Sequence, residues 1–97
     1  MNQAIVSAIQ TRSMIEFNYN GHNRIAEPHI YGRHNGTEQV LGYQVAGGSS
    51  SGGLPEWRRF DIPKMSNLRV LEEVFAGPRP SETGEHSHWD TTFAIVK

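Results

Sequence analysis

Residues 24–65 read RIAEPHIYGRHNGTEQVLGYQVAGGSSSGGLPEWRRFDIPKM, and the fold turns on how this stretch is read. Over 39–46, Val40, Gly42, Gln44 and Ala46 alternate with Leu41, Tyr43 and Val45, a period of two that marks a strand. Over 57–62, Trp57, Arg59 and Asp61 alternate in the same way with Arg58, Phe60 and Ile62. The GGSSSGG run at 47–53 joins the two strands and offers no side chain able to build a core. Gly42 in mid-strand marks a bend or a close backbone approach. Pro63 stops the second strand, and 64–67 is predicted as one helical turn.

Toward the N-terminus, Ile5, Val6 and Ile9 share a face at helical spacing, so 2–12 is predicted as a helix with Asn2 as its N-cap. About eleven residues make a helix too short to stand alone, so the stripe must dock on something. Over 14–19, Ile15, Phe17 and Tyr19 alternate with Met14, Glu16 and Asn18, a half-buried strand. Asn20-Gly21 follows, a strong hairpin signal because both residues tolerate positive φ. The strand returns over 24–30, and Pro28, lacking an N–H, places it at an edge or a bulge. Gly32 and Asn35-Gly36 mark the next turn.

Toward the C-terminus, 68–75 reads as a fifth strand, with a helix over 66–75 as the competing reading because Leu68, Leu71 and Phe75 also fit helical spacing. Residues 78–90 are turn-like and polar, and 91–96 (TTFAIV) offers a further strand. One helix followed by four to five short strands predicts a mostly β chain, a small Sm-like/SH3-like barrel with an N-terminal helix. The expected core is Ile5, Ile9, Ile15, Phe17, Ile25, Val40, Tyr43, Phe60, Ile62, Leu68, Val70 and Leu71. The division expected is a barrel domain over 1–78 and a polar tail over 79–97.

Ninety-seven residues suit one core. The absence of cysteine excludes disulfides and thiol chemistry, and with no apolar run of membrane-spanning length the expectation is a cytoplasmic protein without a membrane partner. A net charge of −1 excludes the global field of a strong nucleic-acid binder. Charge is uneven, however: Arg24, Arg33, Arg58, Arg59 and Lys64 lie in the central stretch, whereas acids dominate after Met65. A local basic face of that size predicts modest, salt-sensitive binding.

Several pieces in order resemble the WYL domain, a Sm-like/SH3-like barrel of bacterial and phage regulators. Ala8–Tyr19 (AIQTRSMIEFNY) is similar to its opening helix-to-strand segment, and Glu27-Pro28-His29 to its Glu-Pro-aromatic element. Val40-Leu41-Gly42-Tyr43 resembles the central strand, and Trp57-Arg58-Arg59-Phe60 with Ile62-Pro63-Lys64-Met65 the arginine-bearing strand and turn. The similarity spans residues 4–75. Glu38-Gln39-Val40 stands in place of the tripeptide that names the family, and Lys64 in place of a second arginine. The resemblance implies a stand-alone ligand-sensing or regulatory module that takes single-stranded nucleic acid or a nucleotide, with Arg58 as the contacting arginine.

The candidate ligand-binding residues are therefore Arg58, Lys64, Tyr43, Arg33, His29 and Tyr31. Each has a plainer reading. Arg58 is equally placed for a surface ion pair with Glu56 or Asp61, and Tyr43 for a barrel-core tyrosine. His29, Tyr31 and Arg33 alternate, so they form an anion- or base-binding strip on one face or simply solvated turn residues. His86-Ser87-His88 with Asp90 invites a metal, but a site needs a third protein ligand on a rigid platform, which a polar segment after Pro80 does not offer, and a solvated tail is the simpler reading. The GGSSSGG run lacks the lysine and helix of a phosphate-binding loop, no serine sits in a nucleophile elbow, and no acid–base pair stands out. No enzyme, metal or cofactor is expected. The alternative function is a protein-interaction or self-association module docking through the apolar 91–96 run.

Overall fold

The structure, a computed structural model, describes residues 1–48, 53–80 and 89–97. The helix α1 spans Gln3–Thr11. Its N-cap is Asn2, whose side-chain oxygen accepts from the Ile5 amide at 3.1 Å. Arg12 closes it in the left-handed region, φ 55°. Ile5, Ala8 and Ile9 form its buried stripe.

Six strands follow: β1 (Ser13–Tyr19), β2 (His22–His34), β3 (Thr37–Gly47), β4 (Glu56–Asp61), β5 (Ser66–Val74) and β6 (Thr91–Ile95). Both short hairpins use the same chemistry. Asn20-Gly21 (φ 50° and 78°) joins β1 to β2, and Asn35-Gly36 (φ 50° and 78°) joins β2 to β3. Two successive positive φ angles match the right-handed twist of the flanking strands. All pairings are antiparallel, in the order β4-β3-β2-β1-β5, and β6 lies beside β2. β1 covers one edge of β2 as far as Ala26, and β6 covers the same edge from Ile30. Pro28 falls in the interval between them, where its missing N–H costs nothing. It also falls at a bulge, since the β2–β3 register slips between Pro28 and Ile30.

The mostly β architecture with one N-terminal helix is as expected, and 66–74 is a strand rather than the competing helix. Among the described residues no pairing joins β4 to β5, the two ends of the sheet. The molecule is nearly isotropic, with principal extents of 28 × 27 × 26 Å. Gly32, expected at a turn, lies inside β2, where β6 passes so close that a Cβ would stand 2.9 Å from the Trp89 ring. The helical turn expected over 64–67 is a 3-10 turn at Ile62–Lys64, because Pro63 fixes its second position and Asn67 (φ 53°) already belongs to β5.

The inner face of the sheet and α1 enclose Ile5, Ala8, Ile9, Ile15, Phe17, Ala26, Tyr31, Val40, Phe60, Phe75 and Val96. Phe17, Phe60 and Tyr19 meet edge to face, with centroids 4.8 to 6.4 Å apart. Each fully buried aliphatic or aromatic side chain here contributes about 1.5–3 kcal/mol. Val70, expected in the core, is 42% exposed on the edge strand β5, and Ile25, Tyr43, Ile62, Leu68 and Leu71 are only half-buried. The 91–96 run is not left uncovered: β6 pairs with β2, Phe93 and Ala94 pack on the core, and Val96 enters it. Among the described residues no helix is long and apolar enough to cross a membrane.

Candidate functional site

Register decides which side chains share a surface, because directly opposed residues of an antiparallel pair project to the same face. Gly42 opposes Arg58 and Val40 opposes Phe60, which puts Arg58 on the inner face. Tyr43 opposes Trp57 and Glu27, and Leu41 opposes Arg59, which puts these side chains on the outer face. Arg58 and Tyr43 therefore sit on opposite sides of the sheet. Arg58 is ion-paired with Glu56 and largely buried at the inner end of β4. Arg24, 2% exposed, lies close enough for its charge to oppose that of Arg58. Arg24 donates to the Tyr19 carbonyl at 3.1 Å and to Gln44 Oε1 at 3.3 Å, and it lies 5.4 Å from the Tyr19 ring centre. Its pKa is lowered, first by burial and then by Arg58.

Lys64 stands at the far end of β4, 65% exposed, with its ammonium 3.5 Å from Asp61. Arg33 lies near the tip of the β2–β3 hairpin, 3.8 Å from Glu38 and 5.5 Å from the Phe93 ring centre. Arg33, Gly36, Thr37, Glu38, Ile62 and Pro63 border an open cleft of about 360 Å³. Tyr31 is fully buried: its hydroxyl donates to Glu38 and accepts from the Asn2 amide at 2.8 Å, tying α1 to the hairpin. Its pKa is raised, first by burial and then by the hydrogen bond to Glu38.

The strip of alternating His29, Tyr31 and Arg33 does not form. The bulge after Pro28 shifts His29 out of phase, since one extra residue reverses the facing of what lies beyond it. Tyr31 and Arg33 oppose Val40 and Glu38, whereas His29 lies against Trp57 (4.7 Å between centroids) and stacks on Phe75 (5.2 Å). His29 is itself fully buried, with Nδ1 2.9 Å from the Glu27 carbonyl oxygen.

What the structure does gather is an outer surface on β2, β3 and β4. Tyr43 and Trp57 meet at 5.1 Å, both half-buried. The Arg79 guanidinium lies 4.5 Å from the Tyr43 ring centre, and that of Arg59 lies 4.1 Å from the Trp89 ring centre. Arg79 also grips both oxygens of Glu27, at 2.6 and 2.9 Å. Glu27 is 2% exposed, and that hydrogen bond is the main reason the Arg79 pKa is raised. Gln39 accepts from Arg59 at 3.2 Å and donates to Asp61 at 2.7 Å. Cation and ring thus alternate across one face, an arrangement suited to flat, anionic ligands.

Of the six residues chosen from sequence, only Tyr43 contributes to this surface in a half-exposed position. Trp57, Arg59, Arg79 and Trp89 are the additions. The alternation of 57–61 had already placed Trp57 and Arg59 together, but nothing local announces that Arg79 and Trp89 return to them. Among the described residues no group of three or more metal-ligating side chains occurs, and His86 and His88 lie outside the described residues. Comparison with protein-family models, curated proteins and solved structures returned no match.

Proposed function

We propose that this chain is a non-enzymatic binding module that takes a short single-stranded nucleic acid or a nucleotide on its outer β2–β3–β4 face. The observation that carries the reading is the pair of stacks on one surface, Arg79 over Tyr43 and Arg59 over Trp89, with Trp57 beside Tyr43. Bases lie against the aromatic rings, and phosphates meet the two guanidiniums. The antiparallel sheet is read as an open variant of a small Sm-like/SH3-like barrel, in keeping with the resemblance to WYL domains and their regulatory, ligand-sensing role. Arg58 acts here as a structural partner of Glu56, and Lys64 is ion-paired with Asp61 without stacking on a ring of this surface.

The test is a fluorescence titration with short single-stranded DNA, RNA and mononucleotides at low salt, following Trp57 and Trp89 emission alongside anisotropy of the labelled oligonucleotide. Tyr43→Ala and Arg59→Ala are expected to weaken binding by about 1–2 kcal/mol each, roughly 5- to 30-fold, with Lys64→Ala near wild type. Two phosphate contacts on a single strand imply a log–log salt slope of about −1.4. Absence of binding, or binding indifferent to both Tyr43→Ala and Arg59→Ala in folded protein, rejects the reading.

A further inference from the structure

Two Asn-Gly pairs occur in the chain, Asn20-Gly21 and Asn35-Gly36, and no other asparagine is followed by glycine. The pair is open to one covalent change. The glycine backbone nitrogen, on losing its proton, attacks the asparagine Cγ. A C–N bond forms, the Cγ–Nδ2 bond breaks, and the departing nitrogen takes a proton from solvent and leaves as ammonia. Water then opens the cyclic imide at either carbonyl, giving aspartate or isoaspartate with no change of oxidation state. Glycine favours the attack because it sets no side chain in the way and rotates freely. What remains to set the rate is how firmly the two reacting groups are held.

The two turns match in backbone and differ in surroundings. Both have φ angles of 50° and 78°, both are exposed, and a Cβ built on either glycine meets nothing within 4 Å. At the β2–β3 turn the Asn35 side-chain amide donates to His34 Nε2 at 3.2 Å, and the Gly36 amide donates to Asp90 Oδ2 at 3.3 Å. Asp90 is itself anchored, since its own amide donates to the Arg33 carbonyl at 2.8 Å. Both reacting groups are tied there, and the Asp90 carboxylate opposes a second negative charge on the Gly36 nitrogen. At the β1–β2 turn, among the described residues, neither the Asn20 side chain nor the Gly21 amide has a hydrogen-bond partner.

We propose that Asn20 is a site of spontaneous deamidation in the folded chain, and that Asp90 and His34 protect Asn35 from the same reaction. Isoaspartate carries the chain through Cβ, adding a backbone atom and a carboxylate to a turn whose two-residue length sets the strand register. The pairs next to the turn, Tyr19 with His22 and Asn18 with Asn23, take that strain.

The experiment is peptide mapping by mass spectrometry after the full chain is incubated in mildly alkaline heavy-oxygen water, folded and in concentrated urea. Each event reads as loss of ammonia with gain of one solvent oxygen, and an isoaspartyl methyltransferase used as a reagent reports the isoaspartate form. The unfolded chain gives the intrinsic ratio of conversion at Asn20 to that at Asn35. Folding is expected to raise this ratio at least about fivefold, since each hydrogen bond released before attack slows Asn35 by a factor of about 2–10. Asp90→Ala should speed Asn35 at least about twofold and leave Asn20 unchanged, in protein with wild-type circular dichroism. A ratio unaltered or lowered by folding, or no conversion at Asn20 in the folded chain, overturns the inference. So does a folded Asp90→Ala protein in which Asn35 reacts no faster. If Asp90→Ala does not fold, the wild-type ratio alone decides. Each result is independent of nucleic-acid binding at the outer face.

Discussion

Glu27 is a carboxylate in the second strand with almost no surface in water, and a single guanidinium from the segment after β5 supplies its charge partner. Arg79 is by contrast 47% exposed, so the pair is half-screened and its net value is modest. Breaking it from one side is another matter, because truncating Arg79 strands a buried negative charge. Arg79→Ala is expected to cost about 2–3 kcal/mol in urea denaturation, at the lower end of what such losses cost because half the pair meets solvent. Glu27→Gln combined with Arg79→Ala should cost less than the two single changes added together, since the stranded charge is then absent. Strict additivity in that cycle would mean that the contact contributes no coupling. Neither residue announces this pairing in sequence. Glu27 precedes a proline in what reads as an ordinary half-exposed strand, and Arg79 stands among prolines in a polar stretch. Their meeting depends on a chain reversal that brings residues 52 positions apart together.

At the scale of elements, legibility tracks how local the causes are. The β1–β2 and β2–β3 hairpins were readable because Asn-Gly settles each turn within two residues. The α1 stripe was readable because a period of 3.6 needs only one helix. The facing of His29 was not readable, since Pro28 signals a bulge but not which neighbour it displaces. The position of β6 was equally hidden, for its partner lies some 60 residues earlier and its polar approach gives no register. Gly32 is the one residue that records that docking in β2. It has no turn to serve, and a Cβ there would press on the Thr91 backbone and stand 2.9 Å from the Trp89 ring. Gly32→Ala is therefore expected to destabilise the fold by about 1–3 kcal/mol, as overpacking does, and to shift Trp89 emission toward that of a wet indole. Gly36 provides a poor comparison because its φ of 78° penalises any side chain. Chemical denaturation of the Gly32→Ala protein, read by tryptophan fluorescence, tests the claim. Wild-type stability would show that β6 yields freely and that the close approach has no energetic weight.

For the whole molecule, the question is whether residues after Pro80 are an appendage or part of the cooperative unit. Composition suggests an appendage: the run from 78 to 90 is polar and turn-like. Packing argues the reverse. β6 pairs with β2 at Ile30, Tyr31, Gly32 and Arg33, the Val96 amide donates to the His29 carbonyl at 2.8 Å, and Val96 lies in the core beside α1 and β2. Phe93 meets Tyr31 at 5.0 Å, and Tyr31 in turn holds the amide of Asn2 at the start of α1. Arg12, at the end of α1, donates to the Lys97 carbonyl at 2.6 Å. Both ends of the helix are therefore tied to the segment from Thr91 to Lys97, directly or through one tyrosine. A chain cut after Pro80 loses a buried valine, a half-buried phenylalanine and one covered edge of β2. At about 1.5–3 kcal/mol for each fully buried side chain, that is a large share of the roughly 5–15 kcal/mol by which a small domain is stable. The shortened chain is expected to unfold at least about 15 °C lower, or to lose a cooperative transition, with α1 amides the first to lose hydrogen-exchange protection. Thermal melts and amide exchange on the two lengths decide it. An unchanged melting temperature with α1 still protected would mean that the sheet of β1 to β5 folds without its sixth strand, and that the helix needs no tie to it.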